Sequence, residues 1–264
     1  MKALFLDTVR EMISRKIIIL FAVIVVILLL IVWGSWEVRE GLAPQSDLSA
    51  GDDVGRMFEP WVAEAFSRVL SVFVFFAVLA SAGLLPGALE KGRAEFLLSK
   101  PLSRTELLLG KLLSVWLAYG TLVLSSSLIV YGVTCAVHGF FDPRIFLLFA
   151  VYAVDFLVWL SVVGLAGVIS GSAAWAVMSA FGLWVAQWLL SFHEAIKQFS
   201  GNRIISYVME GLYYLLPKTD QLGDVGVSLA IGRPVESWLP VWSSVLFAFV
   251  LTYFALLVFH RRDY

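Results

Sequence analysis

Long uncharged apolar runs separated by short charged segments define the plan of this chain. Ile17–Trp36 (20 residues), Val69–Leu89 (21) and Leu112–Cys135 (24) contain no Asp, Glu, Lys or Arg, and neither does Ser237–His260. Each is long enough to cross about 30 Å of hydrocarbon as a helix. Ile145–His193 is 49 residues with one charge, Asp155. As one helix it would measure roughly 74 Å, too long for a single crossing. The Gly171-Ser172 pair is the natural break, which predicts two spans over 145–169 and 173–193. The pattern predicts an all-α polytopic membrane protein with six spans in one domain, 1–264: 17–36, 69–89, 112–135, 145–169, 173–193 and 237–260.

The segments between the runs have their own periodicity. In 2–16, Leu4, Phe5, Val9, Met12 and Ile13 recur at helical spacing among Lys2, Asp7, Arg10, Glu11 and Arg15. This predicts an N-terminal amphipathic helix lying in the membrane interface, either a connector to a partner or a plain anchor. In 90–111, Pro101 stops one helix and Ser103-Arg104-Thr105-Glu106 has the capping-box spacing that starts the next. Phe96, Leu97 and Leu98, flanked by charge, suit either the membrane surface or a groove on a partner. Residues 37–68 hold seven acids, with Gly41, Pro44, Gly51 and Gly55. They read as a solvated outer loop, a docking face for a protein outside the membrane, or a cation-attracting mouth. In 202–217, Ile204 to Leu216 present one apolar face that Pro217 interrupts. That segment is either interfacial or a re-entrant gate.

Composition agrees with a membrane protein. The chain of 264 residues is 60% hydrophobic and 15% charged, against about 25% charged in soluble domains. A net charge of -1 argues against a nucleic-acid binder. Charge distribution sets the orientation. The N-terminal segment, the 90–111 loop and the C-terminus hold 11 of the 19 basic residues and 6 of the 20 acids. The positive-inside rule therefore places both termini and that loop in the cytoplasm of a cell with this chain in its inner (plasma) membrane. The even span count agrees.

Candidate chemistry is sparse. Asp155 is the one acid inside a span, near mid-depth, and a carboxylate there faces the bundle interior or water. It serves either a substrate or proton route or a structural hydrogen bond. Used as a route, it would suit an ion-coupled secondary carrier, although that class usually shows inverted repeats and several buried charges. An intramembrane enzyme needs facing catalytic groups at depth. His138, His193 and His260 lie near the membrane faces, so no catalytic residue is assigned. His, Cys and Asp spacing supports no metal site. Cys135 is unpaired and lies in an apolar run, as a small packing residue does. Gly167-x-x-x-Gly171 allows close helix approach, within the chain or to a second copy.

The loop also carries a resemblance. Glu90-Lys91-Gly92, then Glu95-Phe96-Leu97-Leu98-Ser99-Lys100-Pro101-Leu102-Ser103-Arg104 and Leu109-Gly110-Lys111, resembles the loop after the second span of type-2 ABC transporter permeases. The amphipathic start, Leu215-Leu216-Pro217 and the ending His260-Arg261-Arg262-Asp263-Tyr264 are similar too. Within that family the likeness is to permeases linked to nitrous-oxide reductase copper-site maturation. The resemblance implies a non-catalytic permease, paired as a homodimer on a separate ATPase that holds ATP and Mg. It implies a coupling helix with Glu90, Arg93, Glu95, Phe96, Leu97, Ser99, Pro101 and Arg104 at the ATPase contact. It also implies an apolar path lined by Phe73, Phe76, Leu79, Trp184 and Trp188, to which Asp155 is added on its own account. This chain lacks a phosphate loop of its own: Gly110-Lys111 is followed by Leu112, and position 105 is Thr where that motif needs Gly.

Overall fold

A computed structural model describes residues 2–42, 51–88, 103–138, 141–191 and 203–261. The chain is all-helical over these residues. α1 (Lys2–Ser14) and α2 (Ile17–Leu42) lead to α3 (Gly51–Ser81) and the short α4 (Leu84–Ala88). They are followed by α5 (Arg104–His138), α6 (Ile145–Ser170), α7 (Ala173–Ser191), α8 (Arg203–Leu215), α9 (Thr219–Ala230) and α10 (Leu239–Arg261). Among the described residues, five helices are long and apolar enough to cross a membrane, and the bent pair α1–α2 makes a sixth if it counts as one span.

α6 is the hub, with α3, α7, α9 and α10 packed around it. Its sequence explains this. Asp155 is its one charged residue and apolar side chains cover most of every face, and such a helix is stable only when surrounded. Leu148, Phe156, Val158, Leu160, Val163 and Val168 are all buried along it. The α6–α7 turn forms where Gly171 takes φ 66°, and its N–H donates to Gly167 O at 2.9 Å. A left-handed residue closing a helix in this way is normally glycine because a Cβ clashes with the neighbouring carbonyl. Gly171→Val should therefore destabilise the protein by about 1–2 kcal/mol, visible as a lower melting midpoint, with Gly171→Asn milder. An unchanged midpoint for the valine variant would show that the turn relaxes freely.

Two ends of the bundle are defined by contacts. At one, Lys111 of α5 donates to Asp7 of α1 at 3.0 Å, and Arg104 donates to the His260 carbonyl of α10 at 3.1 Å. The N-terminal helix, the start of α5 and the end of α10 thus share one end. At the other, Tyr131 O–H donates to Asp142 O at 2.8 Å, and Gln187 Nε2 donates to Pro217 O at 3.1 Å.

Several boundaries differ from the sequence expectation. The helix that carries the second crossing ends at Ser81, about two turns before the expected end at Leu89, because the chain turns at Ala82-Gly83 and α4 begins at Leu84. Helix also continues to Leu42 and resumes at Gly51, where 37–68 reads as loop. Glycine lowers helix propensity by only about 1 kcal/mol each, which an extended helix can absorb. The segment after Pro217 forms α9, an element with no counterpart in the expected plan. α9 buries Leu222, Val225, Gly226 and Ala230 and packs on α6.

Candidate functional site

The segment expected to meet an ATPase falls mostly outside the described residues. Glu90, Arg93, Glu95, Phe96, Leu97, Ser99 and Pro101 all lie in 89–102. Its C-terminal anchor is described. Ser103 N–H donates to Glu106 Oε2 at 2.8 Å and Glu106 N–H donates back to Ser103 Oγ at 3.2 Å, the reciprocal cap that the spacing predicts. The first turns of α5 are also clamped from two sides. Arg104 and Thr105 meet His260, and Lys111, only 3% exposed, is paired with Asp7 at 3.0 Å and Glu11 at 3.7 Å. Glu11 in turn holds Arg15 at 2.8 Å, and the Arg15 guanidinium lies against Gly83 of the α3–α4 turn. On its α5 side, 89–102 is therefore flanked by a helix tied to α1.

At the other end of the bundle a cavity of about 430 Å³ opens between α3, α6, α7 and α9. Its wall on α3 runs from Glu64 to Leu79, roughly 22 Å of helix, so it reaches most of the way through a crossing. Residues on α6 face it one turn apart: Tyr152, Asp155 and Trp159. Phe181 and Trp184 of α7 and Phe75 of α3 supply aromatic walls, and Asp220 and Asp224 of α9 stand at the mouth beside Glu64 and Arg68.

The polar groups of this cavity have a definite arrangement. Tyr152 OH lies 2.8 Å from Ser67 Oγ and 2.9 Å from Ser71 Oγ. The Ser71 hydroxyl donates to the Ser67 carbonyl at 3.0 Å, so its proton is used. Each hydroxyl has one proton, which leaves one consistent order: Ser67 donates to Tyr152, Tyr152 to Ser71, and Ser71 to the Ser67 backbone. The chain of hydroxyls closes on itself and has no donor left for Asp155. Asp155 is 7% exposed. Trp159, one turn on, reaches its carboxyl group, while Oδ1 has no hydrogen-bond partner among the described residues. Arg68 is held by Glu64 at 3.1 Å, on the exposed rim. On α9, burial pushes the Asp224 carboxyl above the usual carboxylate range, and the charges of Glu64 and Asp220 add to the shift.

Of the residues expected to line a path, Leu79, Asp155 and Trp184 do line this cavity. Phe73 faces the opposite way. It is fully buried and stacks on Phe21 of α2, with ring centroids 5.7 Å apart. Phe76 packs against the core and sets its ring at 5.5 Å from Phe75. Trp188 lies one turn beyond Trp184 and is 56% exposed on the outer face of α7. Glu64, Ser67, Ser71, Tyr152, Asp220 and Asp224 were not anticipated. The i, i+4 pair Ser67/Ser71 and the Tyr152/Asp155/Trp159 stripe are visible as one-sided polar spacing on apolar helices. α9 offers no comparable signal.

No group of three or more His, Cys, Asp or Glu residues is arranged to hold a metal ion among the described residues. The family model described as ABC-2 family transporter protein matches residues 5–264. No curated protein matches the chain significantly.

Proposed function

This chain belongs to the ABC-2 transporter family and is a permease subunit of an ABC transporter, and from that premise we propose that a separate ATPase drives it through residues 90–104. Family membership implies the ABC ATPase partner and the membrane setting, and it favours this reading over an ion-coupled carrier. The chain itself is non-catalytic in this proposal: ATP and Mg belong to the partner, and the permease supplies a lever and a path.

The observation that carries the coupling proposal is the clamp beside 89–102. A pushed segment moves helices only if its flanks are stiff. The Ser103–Glu106 cap, the Arg104–His260 contact and the buried Lys111 pair make the flank at α5 stiff. In this reading Glu90, Arg93, Glu95, Phe96, Leu97, Ser99 and Pro101 meet the ATPase, and Arg104 passes the load to α10. Both termini and the lever lie in the cytoplasm, and the cavity mouth opens on the outer side of the plasma membrane. We place the homodimer contact on α7, where Trp175, Met178, Trp184 and Trp188 are all more than half exposed. Such an apolar face is covered either by lipid or by a second copy. A protein partner outside the membrane would meet the acid-rich end.

The decisive experiment is co-purification with the ATPase. The doubly substituted chain Glu95→Lys, Phe96→Ala should lose the complex, because one change reverses a charge and the other removes an apolar anchor. The variant should still reach the membrane. A complex retained at the native level would remove the lever from the proposal.

A further inference from the structure

We propose that the cavity around Asp155 is a binding site for an organic monocation with an aromatic or aliphatic body. This rests on the transport reading only for the role of the bound molecule as cargo; the site itself is argued from geometry. An ionised carboxylate at depth is costly unless it is paired. Asp155 Oδ1 points to no donor among the described residues, and the closed hydroxyl order of Ser67, Tyr152 and Ser71 supplies none. The one basic side chain on the wall, Arg68, is engaged by Glu64 at the rim. Asp220 and Asp224 add two further acids to the mouth, with no ion-pair partner among the described residues. A positive guest is the partner that would pair with these acids.

The walls decide which kind. A bare metal ion needs several converging ligands, and no group of three or more His, Cys, Asp or Glu residues is arranged to hold one among the described residues. Phe75, Trp159, Phe181 and Trp184 instead present apolar rings beside the carboxylate. Aromatic faces with one acid hold soft ammonium-type cations. A volume of about 430 Å³ matches small-molecule sites, which run from roughly 300 to 1,000 Å³.

The test uses the purified full chain in a neutral maltoside detergent and two probes of the same shape and opposite charge, tetraphenylphosphonium and tetraphenylborate. Binding is read by calorimetry and tryptophan quenching, with empty micelles subtracted. The expected result is saturable binding of the phosphonium at one site per chain, with no saturable binding of the borate. Asp155→Asn should weaken the phosphonium by about tenfold or more, since it removes the deep charge. Asp224→Asn, at the exposed mouth, should weaken it by about two- to threefold in a salt-dependent way. Trp184→Ala, whose side chain is more than half exposed in the chain, should weaken it by about three- to tenfold through loss of a ring contact. That variant keeps the test intact if Asp155→Asn fails to fold. Equal binding of the two probes, or unchanged phosphonium affinity in folded Asp155→Asn or in Trp184→Ala, overturns the proposal. Added phosphatidylethanolamine that competes with the phosphonium identifies a lipid ammonium as the natural source of the cation; absence of competition identifies a soluble one. Because no ATPase is present, a negative result here leaves the coupling proposal standing, and a lost ATPase complex leaves this one standing.

Discussion

Lys111→Met should unseat α1 and destabilise the protein by about 2 kcal/mol. Lys111 is 3% exposed and its ammonium sits 3.0 Å from Asp7 and 3.7 Å from Glu11. Removing one partner of a buried pair usually costs about 3–5 kcal/mol, because the remaining charge stays buried. The figure is smaller here for two reasons. Asp7 is 44% exposed and can turn to water, and Glu11 keeps Arg15 at 2.8 Å. Asp7→Asn, on the exposed side of the same contact, should cost less than about 1 kcal/mol. Loss of the Lys111 contact releases the inner face of α1, where Leu4, Thr8 and Met12 are buried. The measurement is limited trypsin digestion in detergent, followed at Arg10, together with a thermal midpoint. Cleavage at Arg10 should accelerate in Lys111→Met and change little in Asp7→Asn. Equal protection in both would mean that apolar packing alone holds α1, and the stiff flank assigned to the lever would lose its electrostatic basis.

Gly226→Val should lift α9 from α6, with a loss of about 2 kcal/mol from overpacking. A Cβ at Gly226 would stand 2.6 Å from Leu148 Cδ1 and 3.6 Å from Val151 Cβ. Leu148 is fully buried, so its side chain has no free direction in which to yield. α9 carries Asp220 and Asp224, and both line the cavity mouth, so the same substitution should widen the mouth. A reporter at Leu222→Cys reads this directly, since Leu222 is 1% exposed beneath the helix. Its reaction with a bulky maleimide should be slow in the parent and fast with Gly226→Val. Slow labelling in both would show that the helix pair accommodates the added methyl groups, and the close seat of α9 would not control the mouth.

The two predictions draw on parts of the chain that differ in how openly the sequence displays them. The cap at Ser103 and Glu106 is a local event within four residues, and its spacing alone identifies it. The break at Gly171 is equally local, because only a residue without a Cβ readily takes φ 66°. The hub position of α6 follows from a helix with no polar face. By contrast, Lys111 reads as a charge flanking a crossing, and nothing near it in the chain announces Asp7 or Glu11, about a hundred positions earlier. Phe73 and Leu79 lie on the same apolar helix, yet one stacks on Phe21 and the other lines the cavity. Uniformly apolar stretches carry little periodicity, so the facing direction of a side chain in them is set by its neighbours. α9 was illegible for a related reason: it is short, contains two glycines and two acids, and is stable only because α6 offers it a surface.

From composition and period alone came the greasy all-helical body with its membrane-length helices, the turn between α6 and α7 and the start of α5. These depend on local backbone preference and on the length of hydrocarbon to be spanned, which residues declare one segment at a time. Packing alone decided that Asp155 lies beside a cavity, that three hydroxyls from α3 and α6 satisfy one another and leave its Oδ1 without a donor, and that α9 places two acids at the opening. These are relations between residues up to 85 positions apart. Only the association of helices brings such groups within hydrogen-bond range.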